Sequence, residues 1–210
     1  MLDEISKISK GETKGRFKWA IAEQIIEPYI SYLENIEGVE SVDAAGSYRR
    51  KKETVGDMDL LVVADNPTEV MNRFVSYEDV EQVIAHGKTK SSVNLRLGLQ
   101  VDLRVIPRKS YGAAMLYFTG SKAHNVAIRR IAQEQEYKIN EYGIYHGETW
   151  KAGRTEEEMY NQIGLSYIEP ELRENRGEVE AAQNNTLPTL VTMQDIKGDF
   201  QSHTKASDGK

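Results

Sequence analysis

The chain has 210 residues, a net charge of −6 and no cysteine. That length holds one or two compact domains, and the missing cysteine excludes a disulfide framework or a thiolate metal site. No apolar run approaches the ~20 residues of a membrane-spanning helix, and Met1 to Gly15 carries no apolar signal core, so a soluble intracellular protein is expected.

The acidic total speaks against nucleic acid, but its distribution does not. Lys88 to Lys138 holds ten Lys/Arg against three Asp/Glu, whereas Lys151 to Ala182 holds four against eight. A phosphate backbone responds to a locally basic surface, whatever the total charge.

In chain order, residues 1–15 read as a flexible lead. Helical spacing follows from Arg16 to Leu33 through Phe17, Ile21, Ile25 and Tyr29, with Pro28 expected to kink or divide the helix. Val42 to Ala45 reads as a short strand running into a turn at Gly46. Asp57 to Ala64 is the next strand, and Glu69 to Ser76 a short helix capped by Thr68. Val80 to His86 and Ser91 to Leu97 form strands around Gly87. Leu99 to Val105 alternates apolar and polar strictly, as a half-buried strand must, and sets Gln100, Asp102 and Arg104 on one face. Helices are expected over Ser110–Phe118 and Lys122–Gln135, broken at Thr119-Gly120-Ser121. Short strands follow between Lys138 and Tyr145, then a helix capped by Thr155 with acids in its first turn, a short element at Pro170, and a last helix over Glu178–Gln183.

The chemistry concentrates in Gly46 to Leu61. Asp57 and Asp59 lie one residue apart on a strand and so point the same way. Alone, an Asp-x-Asp pair is most often solvated surface. Here a strand-length apolar run, Leu60-Leu61-Val62-Val63, follows it, and a glycine turn and basic cluster precede it. Two carboxylates aimed at one point repel unless a cation lies between them, and Mg²⁺ takes oxygen ligands and bridges to phosphates. Gly46 would let the backbone approach a phosphate, with Ser47 as a donor and Arg49 and Arg50 as neutralising charges. The pattern is that of metal-dependent phosphoryl or nucleotidyl transfer.

Four motifs, in order and suitably spaced, resemble the family X DNA polymerases, the DNA polymerase beta group. They are GSYRRKKETVGDMDLL (46–61), QVDLRVIP (100–107), LYFTGSKAHN (116–125) and INEYG (139–143). The resemblance implies an α+β chain: a nucleotidyltransferase palm, a mixed sheet flanked by helices, over 16–108, then a smaller helical and β thumb over 109–183. It further implies that Asp57, Asp59 and Asp102 hold two Mg²⁺ ions, for which Mn²⁺ substitutes, with Asp102 activating the primer 3′-hydroxyl. Gly46, Ser47, Arg50 and Gly56 would hold the triphosphate of a deoxynucleotide. Tyr117, Phe118, Gly120 and Ser121 would pack on its sugar, and Asn125 would read the minor-groove edge of its base. Lys122 and Arg129 would contact template DNA. Arg104 would pair with Asp59 in the open state, and Glu141 and Tyr142 would belong to the closing switch.

The implied partners are primer-template or gapped DNA and deoxynucleoside triphosphates, with no membrane, a monomeric state and a cytoplasmic, nucleoid-associated location. The family's lyase domain has no counterpart here, so no lyase activity is expected. Residues 184–210 read as a linker and the opening of a PHP phosphoesterase domain, with His203 and Asp208 but too few ligands for a metal site. The chain resembles either a core cut from a longer bacterial-type protein or a natural minimal form. The alternatives are a non-catalytic DNA- or nucleotide-binding module and a template-independent nucleotidyltransferase. Three clustered carboxylates favour an enzyme, and Asn125 and Arg129 favour use of a template.

Overall fold

The computed structural model describes residues 15–198. Residues 1–14 of the expected lead, and the expected PHP-like His203 and Asp208, lie outside the described residues.

The chain is α+β. Strand β1 (Phe17–Lys18) leads into helix α1 (Trp19–Glu34), and β2 (Val39–Ala44) into the one-turn helix α2 (Gly46–Arg49). Next come β3 (Thr54–Val55), β4 (Asp57–Ala64), α3 (Pro67–Val75), β5 (Val80–His86), β6 (Lys90–Leu95) and β7 (Gln100–Val105). The C-terminal part holds α4 (Tyr111–Thr119), α5 (Lys122–Glu134), β8 (Tyr137–Asn140), β9 (Gly143–His146), β10 (Thr149–Ala152), α6 (Glu156–Gln162) and α7 (Glu178–Gln183).

Five strands form the main sheet in the order β2-β4-β7-β6-β5; only β4 and β7 pair in parallel. One face packs on α1 and α3. Ala22, Ile26, Tyr29 and Leu33 of α1 recur at helical spacing and are buried with Val70, Met71 and Phe74 of α3 against Leu60, Val62, Val101 and Leu103. Tyr29 stacks between Phe74 and Tyr77, at 5.2 and 4.1 Å, and its hydroxyl donates to the Phe74 carbonyl. Each such pair contributes about 0.5–1.5 kcal/mol beyond its buried area. On the other face α4 covers Leu61 and Val63 with Ala114 and Met115. A separate core joins α4, α5, α6 and the β8-β9-β10 sheet around Ile128, Ile144 and Tyr160.

Several local expectations are corrected. The helix begins at Trp19, not Arg16, because Phe17 and Lys18 pair with Val55 and Thr54. Pro28 does not divide α1. The carbonyl that loses its donor belongs to the exposed Gln24, and Ile26 and Tyr29 hold both halves on the sheet. Asn66, not Thr68, caps α3: its side chain accepts from the Glu69 amide at 3.3 Å, and Pro67 takes the first helical position. The Gly46 turn is the first residue of α2. Strand β10 was not expected; it is short and its pairing with β9 is bulged, which breaks the alternation a sequence reading relies on.

Candidate active site

The parallel pair β4–β7 builds the acidic centre. Asp59 stands opposite Asp102 and Asp57 opposite Gln100. Asp57 is exposed, Asp59 and Asp102 are half-buried, and the intervening Met58 and Leu60 point into the core. Further along the same face of β4 come Leu61 and Val63, where α4 takes the place of solvent. The three carboxylates therefore sit where the sheet face emerges from under α4.

Arg104 Nη1 donates to Asp59 Oδ1 at 3.4 Å, and Gln100 Nε2 donates to Asp102 Oδ1 at 3.0 Å. Burial pushes the Asp59 carboxyl up to about 6; the charge of Arg104 opposes this, Asp57 and Asp102 add to it, and Lys90 opposes it. Gly46, at φ +62, presses on the same group: a Cβ there would lie 3.0 Å from Asp59 Oδ2. Only glycine combines that backbone conformation with so close an approach.

A cleft of about 620 Å³ opens beside these groups. Gly46, Ser47, Arg50, Asp57 and Asp59 form one wall; Tyr117, Phe118, Gly120, Lys122, Asn125 and Arg129 form the other. The second wall is cross-braced. Asn125 Nδ2 donates to the Tyr117 carbonyl at 2.7 Å, and Arg129 lies over the Tyr117 ring at 5.1 Å. Tyr117 meets Phe118 edge-on, and Arg104 lies over Phe118 at 4.2 Å. Arg104 thus touches both the acidic centre and the aromatic wall.

Asp102 and Arg104 are not among the residues that line the cleft, and neither are Gly56, Ser121, Glu141 and Tyr142. Gly56 lies against the Arg16 guanidinium, and Ser121 caps α5 by accepting from the His124 amide at 3.3 Å. Glu141 and Tyr142 form the β8–β9 turn; the Tyr142 carbonyl accepts from Ser110 Oγ at 3.0 Å and from Trp150 Nε1 at 3.2 Å.

Sequence reasoning named Arg49 and Arg50 as charges for a phosphate but missed the partners through which they tie the two walls together; Arg49 is turned to Glu156 and does not line the cleft. Arg49 donates to Glu156 at 2.9 and 2.6 Å and to Thr119 Oγ1 at 2.9 Å. The fully buried Arg173 reaches the same carboxylate at 2.5 Å. Burial alone would raise the Glu156 carboxyl, but the two arginines outweigh it and hold the group below the usual range. Glu156 had read as a helix-dipole acid; it is an ion-pair hub. Arg50 donates through Nε to Glu174 Oε1 at 2.8 Å and through Nη1 to the Thr119 carbonyl. Arg16 also lines the cleft, and its guanidinium donates to Thr54 Oγ1 at 2.9 Å.

The donors fit a hard divalent cation: three carboxylates, with neither nitrogen nor sulfur among them. Burial does most to raise the Asp59 carboxyl, and the charges of Asp57 and Asp102 add to it; a bound cation would relieve that repulsion. Among the described residues, no three acidic or histidine groups converge closely enough to form a finished metal centre. Arg104 draws on Asp59 and Gln100 holds Asp102.

A family model described as DNA polymerase beta palm matches residues 21–134, and one described as DNA polymerase beta thumb matches 114–174. The chain is 36% identical over 203 residues, 95% of its length, to the DNA polymerase/3′-5′ exonuclease PolX of Bacillus subtilis. It belongs to the family X DNA polymerases. DNA polymerase lambda of Arabidopsis thaliana is 25% identical over 174 residues, and a repair DNA polymerase X of African swine fever virus 25% over 141. The matched segments cover 67% and 63% of this chain. The chain spans about a third of the bacterial and plant relatives, 35% and 33%, and 81% of the viral one. Relatives of this family are nucleotidyltransferases named for DNA polymerisation or repair. No helix among the described residues is long and apolar enough to cross a membrane.

Proposed function

We propose that this chain is a DNA-directed DNA polymerase that adds deoxynucleotides to a primer 3′-hydroxyl, filling short gaps during repair. The observation that carries the reading is the parallel register that sets Asp59 beside Asp102, with Asp57 on the same face, at the edge of a cleft with cationic and aromatic walls. The family relationship supports it.

Asp57, Asp59 and Asp102 would hold divalent ions, Mg²⁺ with Mn²⁺ as a substitute. Bound ions would supply positive charge to the attacking and leaving oxygens of an in-line displacement. Asp102 accepts the proton of the primer 3′-hydroxyl. Ser47 and Arg50 hold the triphosphate across the cleft, with Gly46 beside them in its lining; Gly56, expected there too, lies against Arg16 outside the cleft. Tyr117, Phe118 and Gly120, with Ser121 behind, seat the sugar. Asn125 reads the base edge, and Lys122 and Arg129 touch template DNA. Arg104 holds Asp59 until a nucleotide binds, and Glu141 and Tyr142 take part in closure. The palm spans 16–108 and the thumb 109–183, a division supported by the two main apolar cores, which draw on Phe17–Val105 and Ala113–Ala182. The protein works as a monomer in the cytoplasm, at the nucleoid.

The test is primer extension on a gapped duplex, with and without template and divalent metal. Incorporation of the templated nucleotide only when both are present supports the reading. Incorporation without template would point to terminal transfer, and none under any condition to a binding module.

A further inference from the structure

We propose that Glu174 is a positioning residue for nucleotide binding. It braces Arg50 from outside the cleft, so that the thumb sets the aim of the phosphate-binding arginine. The proposal rests on the reading of the cleft as the triphosphate site.

A second cleft, of about 820 Å³, shares Arg16 and Arg50 with the first. Glu174 lines this second cleft and not the first. It therefore does not stand where a phosphate would lie, and it is not a substitute anion that nucleotide must displace. It takes Nε of Arg50 at 2.8 Å, while the Thr119 carbonyl takes Nη1. Two of the three guanidinium nitrogens are thus held by one half-buried carboxylate and one carbonyl. A planar guanidinium fixed at two corners cannot rotate, and its remaining edge is set in advance of binding.

Glu174 is suited to the task. Burial opposes its ionisation, but the hydrogen bond and charge of Arg50, with the charge of Lys52 at 3.5 Å, hold its carboxyl below the usual range. Its backbone is anchored by its neighbour. Arg173 is fully buried, donates to the Ile168 carbonyl at 2.8 Å, binds Glu156, and accepts the Ser121 amide at 3.0 Å. Arg49 is bound to Glu156 as well. The segment Arg173-Glu174 thus connects with Arg50 directly and, through Glu156, with Arg49 at the end of α2.

The experiment compares the full chain with Glu174→Gln, Glu174→Ala, Arg50→Ala and the double variant Arg50→Ala/Glu174→Ala. Single-nucleotide insertion is measured on a gapped duplex, with thermal unfolding alongside. Glu174→Ala should raise KM for the deoxynucleotide about tenfold, the equivalent of one charge-assisted hydrogen bond. The limiting rate should stay within about twofold, since the loss falls on ground-state binding. Glu174→Gln, which keeps an acceptor for Nε, should recover part of the affinity. In the Arg50→Ala background the Glu174 substitution should add nothing, because the group it aims is gone. A KM that falls in Glu174→Ala would mean that Glu174 competes with nucleotide, and overturns the proposal. So do an unchanged KM, strict additivity with Arg50→Ala, or a KM change that merely follows lost thermal stability in both Glu174 variants. A wild-type chain without any insertion fails one step earlier, at the reading of the cleft.

Discussion

Asp102 illustrates what single residues contribute. Its backbone lies in the middle of β7, paired on both sides, with Asp59 on β4 and Ser92 on β6. Its neighbours Val101 and Leu103 fill the core. Substituting Asp102→Ala therefore removes a carboxylate without opening a cavity or breaking the ladder. We expect primer extension to fall below detection, with thermal stability within about 1 kcal/mol of wild type, as for substitutions away from the core. Gapped-duplex extension and a melting curve on the same preparation decide it. Asp57 and Asp59 were legible in the sequence because alternation puts i and i+2 on one face. The grouping of Asp59 with Asp102 came from the family resemblance alone, because nothing local specifies which strand lies beside which.

At the scale of elements, the thumb is held by close approaches and buried polar links. Gly112 shows the first. A Cβ there would sit 2.0 Å from the Thr155 carbonyl carbon, so α4 crosses the start of α6 with no room for a side chain. Gly112→Ala must push the two apart. A loss of about 1–3 kcal/mol or more in urea unfolding is expected, the usual cost of forcing a methyl into a filled space.

His124 shows the second. It is fully buried on α5, with Nδ1 2.8 Å from Glu178 Oε1 on α7 and Nε2 2.9 Å from the Tyr160 hydroxyl on α6. Burial lowers its tendency to take a proton and the charges of Arg173 and Arg50 lower it further, against the pull of Glu178. The unfolded chain takes that proton near the ordinary histidine value, 6.5, and the folded chain only at lower pH. Its contribution to stability is thus present above about pH 6.5 and is lost as pH falls toward the lower folded value. Thermal scans between pH 7.5 and 5 should show the midpoint dropping on acidification, and His124→Gln should flatten that slope. The helices themselves could be read from apolar spacing and caps; the Thr155 cap accepts from the Glu158 amide at 3.1 Å. The links between them could not. Arg49 and Glu156 are 107 positions apart, and Arg50 and Glu174 are 124 apart.

For the whole molecule, charge placement matters more than the total. The net charge of −6 repels a duplex at long range, so attraction must come from the cations of the middle region, including Lys122 and Arg129 at the cleft. Binding of a gapped duplex should be weak and fall with salt. We expect a log–log slope of about −2 to −3, equivalent to two or three neutralised phosphates. Fluorescence anisotropy between 50 and 200 mM salt measures it; tight binding without a slope contradicts the charge placement. The charge counts that carry this expectation came from sequence alone. The docking of the second core on the first, through α4 and through Arg49 and Arg50, needed the structure.

The parallel pairing of β4 with β7 also governs when the acidic centre can come into being. Arg104 is 45 positions from Asp59, and the intervening chain forms α3 and the β5–β6 hairpin that β7 joins. Closing so long a loop costs chain entropy that local contacts do not offset. The helices and the hairpin can therefore form while Asp59 and Asp102 are still apart. On refolding from denaturant, the carboxylates are therefore expected to assemble only at the step that completes the sheet.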